Sequence, residues 1–101
     1  MTILLQGCNN FIKSFFEEKL PQFSVFQEWE HAPYWHIEFV YDNVKIIIDG
    51  DIGFSVNVFI EDKDFPLWQY DRSVNEKLTT SKENILYQLN VLKRFFSEIG
   101  Y

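Results

Sequence analysis

The stretch Tyr34-Trp35-His36-Ile37-Glu38-Phe39-Val40-Tyr41, followed by Asp42-Asn43 and then Val44-Lys45-Ile46-Ile47-Ile48-Asp49, decides the fold. Side chains of an extended chain point alternately to its two sides, so Trp35, Ile37, Phe39 and Tyr41 share one side, and Tyr34, His36, Glu38 and Val40 the other. Asp and Asn both tolerate positive backbone φ, which suits Asp42-Asn43 to a two-residue link between antiparallel strands. Closing the chain there sets Tyr41 opposite Val44, Phe39 opposite Ile46 and Ile37 opposite Ile48. Every pair on that side is apolar. The other side pairs Val40 with Lys45, Glu38 with Ile47 and His36 with Asp49. Turn chemistry and hydrophobic alternation agree on one register, which predicts a hairpin with an apolar inner side.

Downstream, Asp49-Gly50-Asp51-Ile52-Gly53 supplies the next turn. Phe54, Val56, Val58 and Ile60 continue the inner side on a further strand, with Ser55, Asn57, Phe59 and Glu61 outward. The acidic link Glu61-Asp62-Lys63-Asp64 and Pro66 end that strand. Leu67-Trp68-Gln69-Tyr70 is expected as a short strand at the sheet edge, before a polar loop from Asp71 to Thr79. Upstream, Gln22 to Glu30 predicts the first strand, with Phe23, Val25 and Trp29 inward. Gln27 inside and Phe26 outside break that alternation, as at a sheet edge or a bulge. His31-Ala32-Pro33 forms the connection to Tyr34.

The flanks have a different period. Leu4, Cys8, Phe11 and Phe15 recur at helical spacing, widened by Leu5, Ile12 and Phe16, which predicts an amphipathic helix over Ile3 to Lys19, stopped by Pro21. Gly7, Asn9 and Asn10 are poor in a helix interior and leave open a later start at an Asn9 or Asn10 cap. At the other end, Thr80-Ser81-Lys82-Glu83 fits a capping box, and Ile85, Leu89, Leu92, Phe96 and Ile99 follow at helical intervals up to Gly100. The expected architecture is an α+β, two-layer fold: an antiparallel meander of four to five strands with the N- and C-terminal helices packed on one face. Residues 1–101 read as one domain, without internal repeats or low-complexity segments.

With 47% hydrophobic residues, 24% charged, 11 Phe and 3 Trp, the chain carries enough apolar area to fold around a core. Fifteen Asp and Glu against nine Lys and Arg leave a net charge of -6, which repels the phosphates that dominate nucleic-acid affinity and disfavours anionic membranes. The natural complement is a protein with a basic surface. Met1 to Gly7 lacks a basic leader and has three consecutive apolar residues, so no secretory signal is expected. No segment approaches membrane-spanning length. Cys8 is the one cysteine, which excludes an intramolecular disulfide and fits a reducing cytoplasm.

Little in the chain carries recognisable chemistry. Cys8 lies on the apolar stripe of the first helix with no adjacent His, Lys or Arg to stabilise a thiolate, so a buried, inert thiol is expected. His36, Glu38 and Asp49 share one side of the hairpin, a set able to serve as a metal site or as a general acid and base, and equally ordinary as charged pairs on a solvated sheet. His31 makes no zinc spacing with His36. The turns Asp49-Gly50-Asp51 and Glu61-Asp62-Lys63-Asp64 do not complete a calcium loop, because the twelfth position from Asp49 is Ile60, where a bidentate Glu would be needed. No phosphate-binding Gly-rich loop, nucleophile elbow or HExxH segment occurs, and no cofactor is implied.

What remains is the outer side of the sheet. If both helices cover the inner side, Tyr34, Val40, Ile47 and Phe59 stand near solvent among Glu38, Lys45 and Glu61, and Trp68 and Tyr70 form a second aromatic pair next to the acidic link. Tyr34, Glu38, Val40, Ile47, Phe59, Glu61, Trp68 and Tyr70 are therefore the expected partner-binding residues, with no catalytic or metal residue assigned. The expected function is that of a small acidic protein-binding domain of inhibitor or immunity type, masking a basic protein surface. One alternative is a homodimeric chaperone or adaptor that holds a client on the sheet face. The other is a small enzyme or metal-binding domain using His36, Glu38 and Asp49.

Overall fold

The structure, a computed structural model, describes residues 7–101. Helix α1 (Cys8–Lys19) is followed by strands β1 (Ser24–His31), β2 (Tyr34–Tyr41), β3 (Val44–Gly50), β4 (Phe54–Ile60) and β5 (Lys63–Pro66). A short helix α2 (Leu67–Tyr70), a 3-10 turn (Arg72–Glu76) and the long helix α3 (Lys82–Ile99) complete the chain. The five strands form one sheet in the order β1-β2-β3-β4-β5, each antiparallel to its neighbours. This is the expected α+β meander with helices at both ends.

The hairpin register read from the sequence is the observed one: Tyr41 pairs with Val44, Phe39 with Ile46 and Ile37 with Ile48. On β4 the same side continues, with Val56 opposite Ile48, Val58 opposite Ile46 and Ile60 opposite Val44. These side chains merge with Ile12 and Phe16 of α1 and Ile85, Leu89, Leu92 and Phe96 of α3 into one buried cluster. The Phe16 ring lies flat on Phe39 at 3.7 Å between centroids, and Phe23 meets Phe96 at 5.0 Å. Each such fully buried side chain contributes roughly 1.5–3 kcal/mol of transfer free energy.

Segment 67–79 lies on the helix side of the sheet. Leu67 and Val74 join the core, the Asp71 carboxylate caps the 3-10 turn and pairs with Arg94 of α3, and Ser73 meets the Tyr87 hydroxyl at 2.5 Å. The main-chain carbonyl of Lys77 accepts a hydrogen bond from Gln88 at 2.7 Å. The expected polar loop is thus a strap held along α3.

Four expectations need correction. The described part of α1 starts at Cys8 behind an N-cap Gly7 at φ 76°, and the expected turns over Ile3 to Gln6 lie outside the described residues. The fifth strand is Lys63–Pro66, because Glu61 and Asp62 both adopt positive φ (52° and 67°) and turn the chain within two residues; Leu67-Trp68-Gln69-Tyr70 is helical instead. Helix α3 is capped by Ser81, whose hydroxyl accepts the Asn84 N–H at 3.0 Å, and not by Thr80. Trp29 is not on the inner face, for a reason that also builds the candidate site.

Candidate functional site

Strand β1 carries a bulge. Val25 pairs with Phe39 and Gln27 with Glu38, leaving Phe26 as the extra residue. An unpaired residue shifts the alternation by one, so everything after it changes sides. Gln27, Trp29 and His31 consequently lie opposite Glu38, His36 and Tyr34 on the outer face. The Trp29 indole stacks on the His36 ring at 5.7 Å and 6° between planes, and His31 lies 6.2 Å from Trp29 on the same strand. Phe26, 57% exposed, sits under the Lys45 ammonium at 4.7 Å.

The same shift turns Glu28 and Glu30 toward α1. Glu28 pairs with Lys13 at 2.7 Å. The Glu30 carboxylate accepts the main-chain N–H groups of Gly7, Cys8 and Asn9 at 2.8, 3.3 and 3.1 Å. Those donors open the helix and have no partner within it, and a negative charge there also opposes the positive end of the helix dipole. Asn9, buried, donates to the carbonyls of Trp29 (3.0 Å) and His36 (3.1 Å), fixing α1 to the β1–β2 pair. Cys8 is buried beside this cap. Burial, with the Glu30 charge adding to it, pushes its thiol up to about 11, and the burial is that expected from the apolar stripe.

Glu38 is the centre of the outer face and, at 5% exposure, is buried by its own neighbours. Its carboxylate accepts from Gln27 and lies 2.7 Å from His36 Nε2 and 3.7 Å from Lys45 Nζ. Burial alone would push the carboxyl up. The hydrogen bonds from His36 and Gln27, with the charges of His36 and Lys45, outweigh that and hold it below the usual Glu value. Asp49 Oδ2 lies 3.5 Å from the other ring nitrogen, His36 Nδ1. The two carboxylates therefore sit at opposite edges of one imidazole and do not converge on a common point. Among the described residues no group of three or more His, Cys, Asp or Glu side chains is arranged to hold a metal ion.

At the far end of the same face two turns adjoin. The Glu61 N–H donates to the Asn43 carbonyl at 3.0 Å, and Asn43 Nδ2 donates to the Glu61 carboxylate at 3.1 Å. Tyr101 at the C-terminus donates its hydroxyl to Asn43 Oδ1 at 3.0 Å, securing the β2–β3 turn from behind. Between the turns runs an open groove of about 410 Å³, with Val40, Val44, Ile47 and Phe59 as its apolar part, Asp42 and Asp62 as its carboxylates and Lys45 as its cation.

The expected binding residues thus fall into three groups. Tyr34, 55% exposed, projects from the outer face, and Val40, Ile47 and Phe59 line the groove. Glu61 is in the adjoining turn, and Glu38 is committed to an internal network. Tyr70 is turned to the helix side, where its hydroxyl donates to Glu98 at 2.5 Å and its ring meets Phe95 at 5.2 Å. Trp68, 46% exposed, belongs to the short helix α2 and not to an edge strand. Trp29, Phe26, Asp42 and Asp62 lie on this face or its groove and were not in the expected set. The signal for the first two was the broken alternation at Phe26-Gln27; for the two aspartates it was their place in two-residue turns, the second inside a charged run. No helix among the described residues is long and apolar enough to cross a membrane. No protein-family model, curated protein or solved structure matches the chain.

Proposed function

We propose that this chain is a small acidic cytoplasmic domain of inhibitor or immunity type that binds a basic protein through the outer face of its sheet. The observation that carries this reading is the composition of that face: Tyr34, Trp29 and Phe26 are 55%, 47% and 57% exposed on a face that also bears the carboxylates Glu38 and Asp49, while both long helices pack on the opposite side. Aromatic side chains supply much of the energy of protein interfaces, and acidic charge accelerates encounter with a basic target. The net charge of -6 favours such a target.

Affinity capture at low ionic strength tests this reading. The wild-type protein is expected to retain a basic protein, to release it as salt is raised, and to suppress that protein's activity when mixed with it. Tyr34→Glu is expected to abolish retention. Equal retention by wild type and Tyr34→Glu would remove the outer face from the interface.

A homodimeric reading draws on a different observation. β1 is an edge strand of eight residues, with one hydrogen-bonding side turned away from the sheet. Unpaired strand edges can extend a sheet into a second copy. Sedimentation at increasing concentration decides this: a mass twice that of the chain favours pairing, and a constant monomer mass removes it.

A further inference from the structure

We propose that the groove between the β2–β3 and β4–β5 turns seats a guanidinium side chain presented by the partner. This rests on the reading above, that the partner is a basic protein. Val40, Ile47 and Phe59 give the groove the apolar walls that an arginine stem needs, and Asp42 and Asp62 bring two carboxylates to it. Arginine suits such a place better than lysine, because its planar head is weakly hydrated, lies on an aromatic face and donates in several directions.

The groove also contains a cation of its own, Lys45, whose ammonium is drawn elsewhere. It lies 3.7 Å from Glu38 Oε1 and 4.7 Å over the Phe26 ring, so the sign of charge at the groove is set by the two aspartates. Among the described residues neither Asp42 nor Asp62 has a cationic side chain within ion-pair distance. Both are carried by tight turns that are hydrogen-bonded to each other through Asn43 and Glu61. Carboxylates held on such a frame lose little freedom when they take a ligand.

The test is a titration of the ¹⁵N-labelled protein with the capped tripeptide Gly-Arg-Gly at low ionic strength, followed by amide chemical shifts. Saturable shifts are expected at Asp42, Lys45, Phe59 and Asp62, with weaker binding of Gly-Lys-Gly. The double variant Asp42→Asn/Asp62→Asn is expected to weaken Gly-Arg-Gly by about fivefold or more. Asn accepts the positive φ of both positions, so the variant keeps its turns, and unchanged amide positions outside the groove check this. Phe59→Lys, which puts the chain's own cation into the groove, is expected to weaken the peptide as well. Absent or non-saturating shifts, equal binding of Gly-Lys-Gly, or indifference to both variants would overturn the proposal. Tyr34 lies outside the groove, so the two readings fail separately. Loss of capture by Tyr34→Glu without peptide binding removes the groove alone. Peptide binding without capture of a basic protein removes the partner alone.

Discussion

The two faces of the sheet are made by the same strands yet follow different rules. On the inner face Ile37, Phe39, Ile46, Ile48, Val56 and Val58 are almost wholly buried and belong to one apolar cluster under α1 and α3. On the outer face Glu38, His36, Lys45 and Asp49 form a chain of polar contacts flanked by Trp29, Phe26 and a groove. Apolar burial is non-directional and scales with area, so any side chain of the right period and size stabilises the inner face. A polar network depends on which partner stands opposite. A single shift of register rewrites it.

The largest expected effect contrasts neighbouring residues on opposite sides. Ile46→Ala removes a side chain with no exposure from the core and is expected to cost about 2–5 kcal/mol, with much of the range set by how far the cavity collapses. Ile47→Ala, on a half-buried outer position, is expected to cost about 1 kcal/mol. Urea unfolding of both variants measures the pair, and equal losses would mean that the outer face is as closely packed as the inner one.

The next effect concerns the bulge that separates the two regimes. Because Phe26 shifts the alternation, Glu30 reaches the N-terminus of α1 and receives three main-chain donors. Glu30→Gln keeps one acceptor oxygen and removes the charge. A loss of about 1 kcal/mol is expected, smaller at high salt. Glu28→Gln is the control, since its pair with Lys13 is solvent-exposed and contributes at most about 1 kcal/mol. A larger loss for Glu28→Gln than for Glu30→Gln would discard the cap as the link between strand and helix.

The hairpin β2–β3, the continuation into β4 and the C-terminal helix were legible in the sequence because periodicity and turn chemistry pointed the same way in each. Residues 22–31 were legible only in part. Phe26 and Gln27 announced an irregularity, but its location decides the side of Trp29, and alternation alone does not give it. Lys63–Pro66 went unread because the Glu61-Asp62 turn uses positive φ at Glu61, a residue seldom found there, and a charged run of that kind reads as a loop. Leu67-Trp68-Gln69-Tyr70 is too short for a period to separate helix from strand. For the candidate site, the opposition of His36 and Asp49 and the groove residues Val40, Ile47 and Phe59 followed from register. The contacts of Glu38 with Gln27, and the Trp29 stack on His36, needed the bulge to be placed.

The polar side of the comparison also has a pH signature. Glu38 has its carboxyl lowered in the folded protein, so it binds a proton less readily folded than unfolded. Its contribution to stability is full above the unfolded carboxyl value of about 4.3 and is lost as pH falls through the lower folded value. Replacing it by Gln removes that dependence. The urea midpoint of the wild type is expected to fall more steeply in this acidic window than that of Glu38→Gln. Parallel curves for the two proteins would show that the network around Glu38 does not favour its ionised form.

The smallest expected effect on folding is at Tyr34, and it is the one on which the functional reading depends. The side chain is 55% exposed at the start of β2, opposite His31, and takes no part in the core. Tyr34→Glu is therefore expected to change the unfolding free energy by less than about 0.5 kcal/mol. Trp29→Ala on the same face is expected to cost more, since it strips the cover from His36. A residue whose replacement leaves stability unchanged while abolishing capture of a basic protein acts through the surface it offers. Should Tyr34→Glu instead destabilise the chain as much as Ile47→Ala does, any loss of binding would follow from weakened folding, and the outer face would be structural like the inner one.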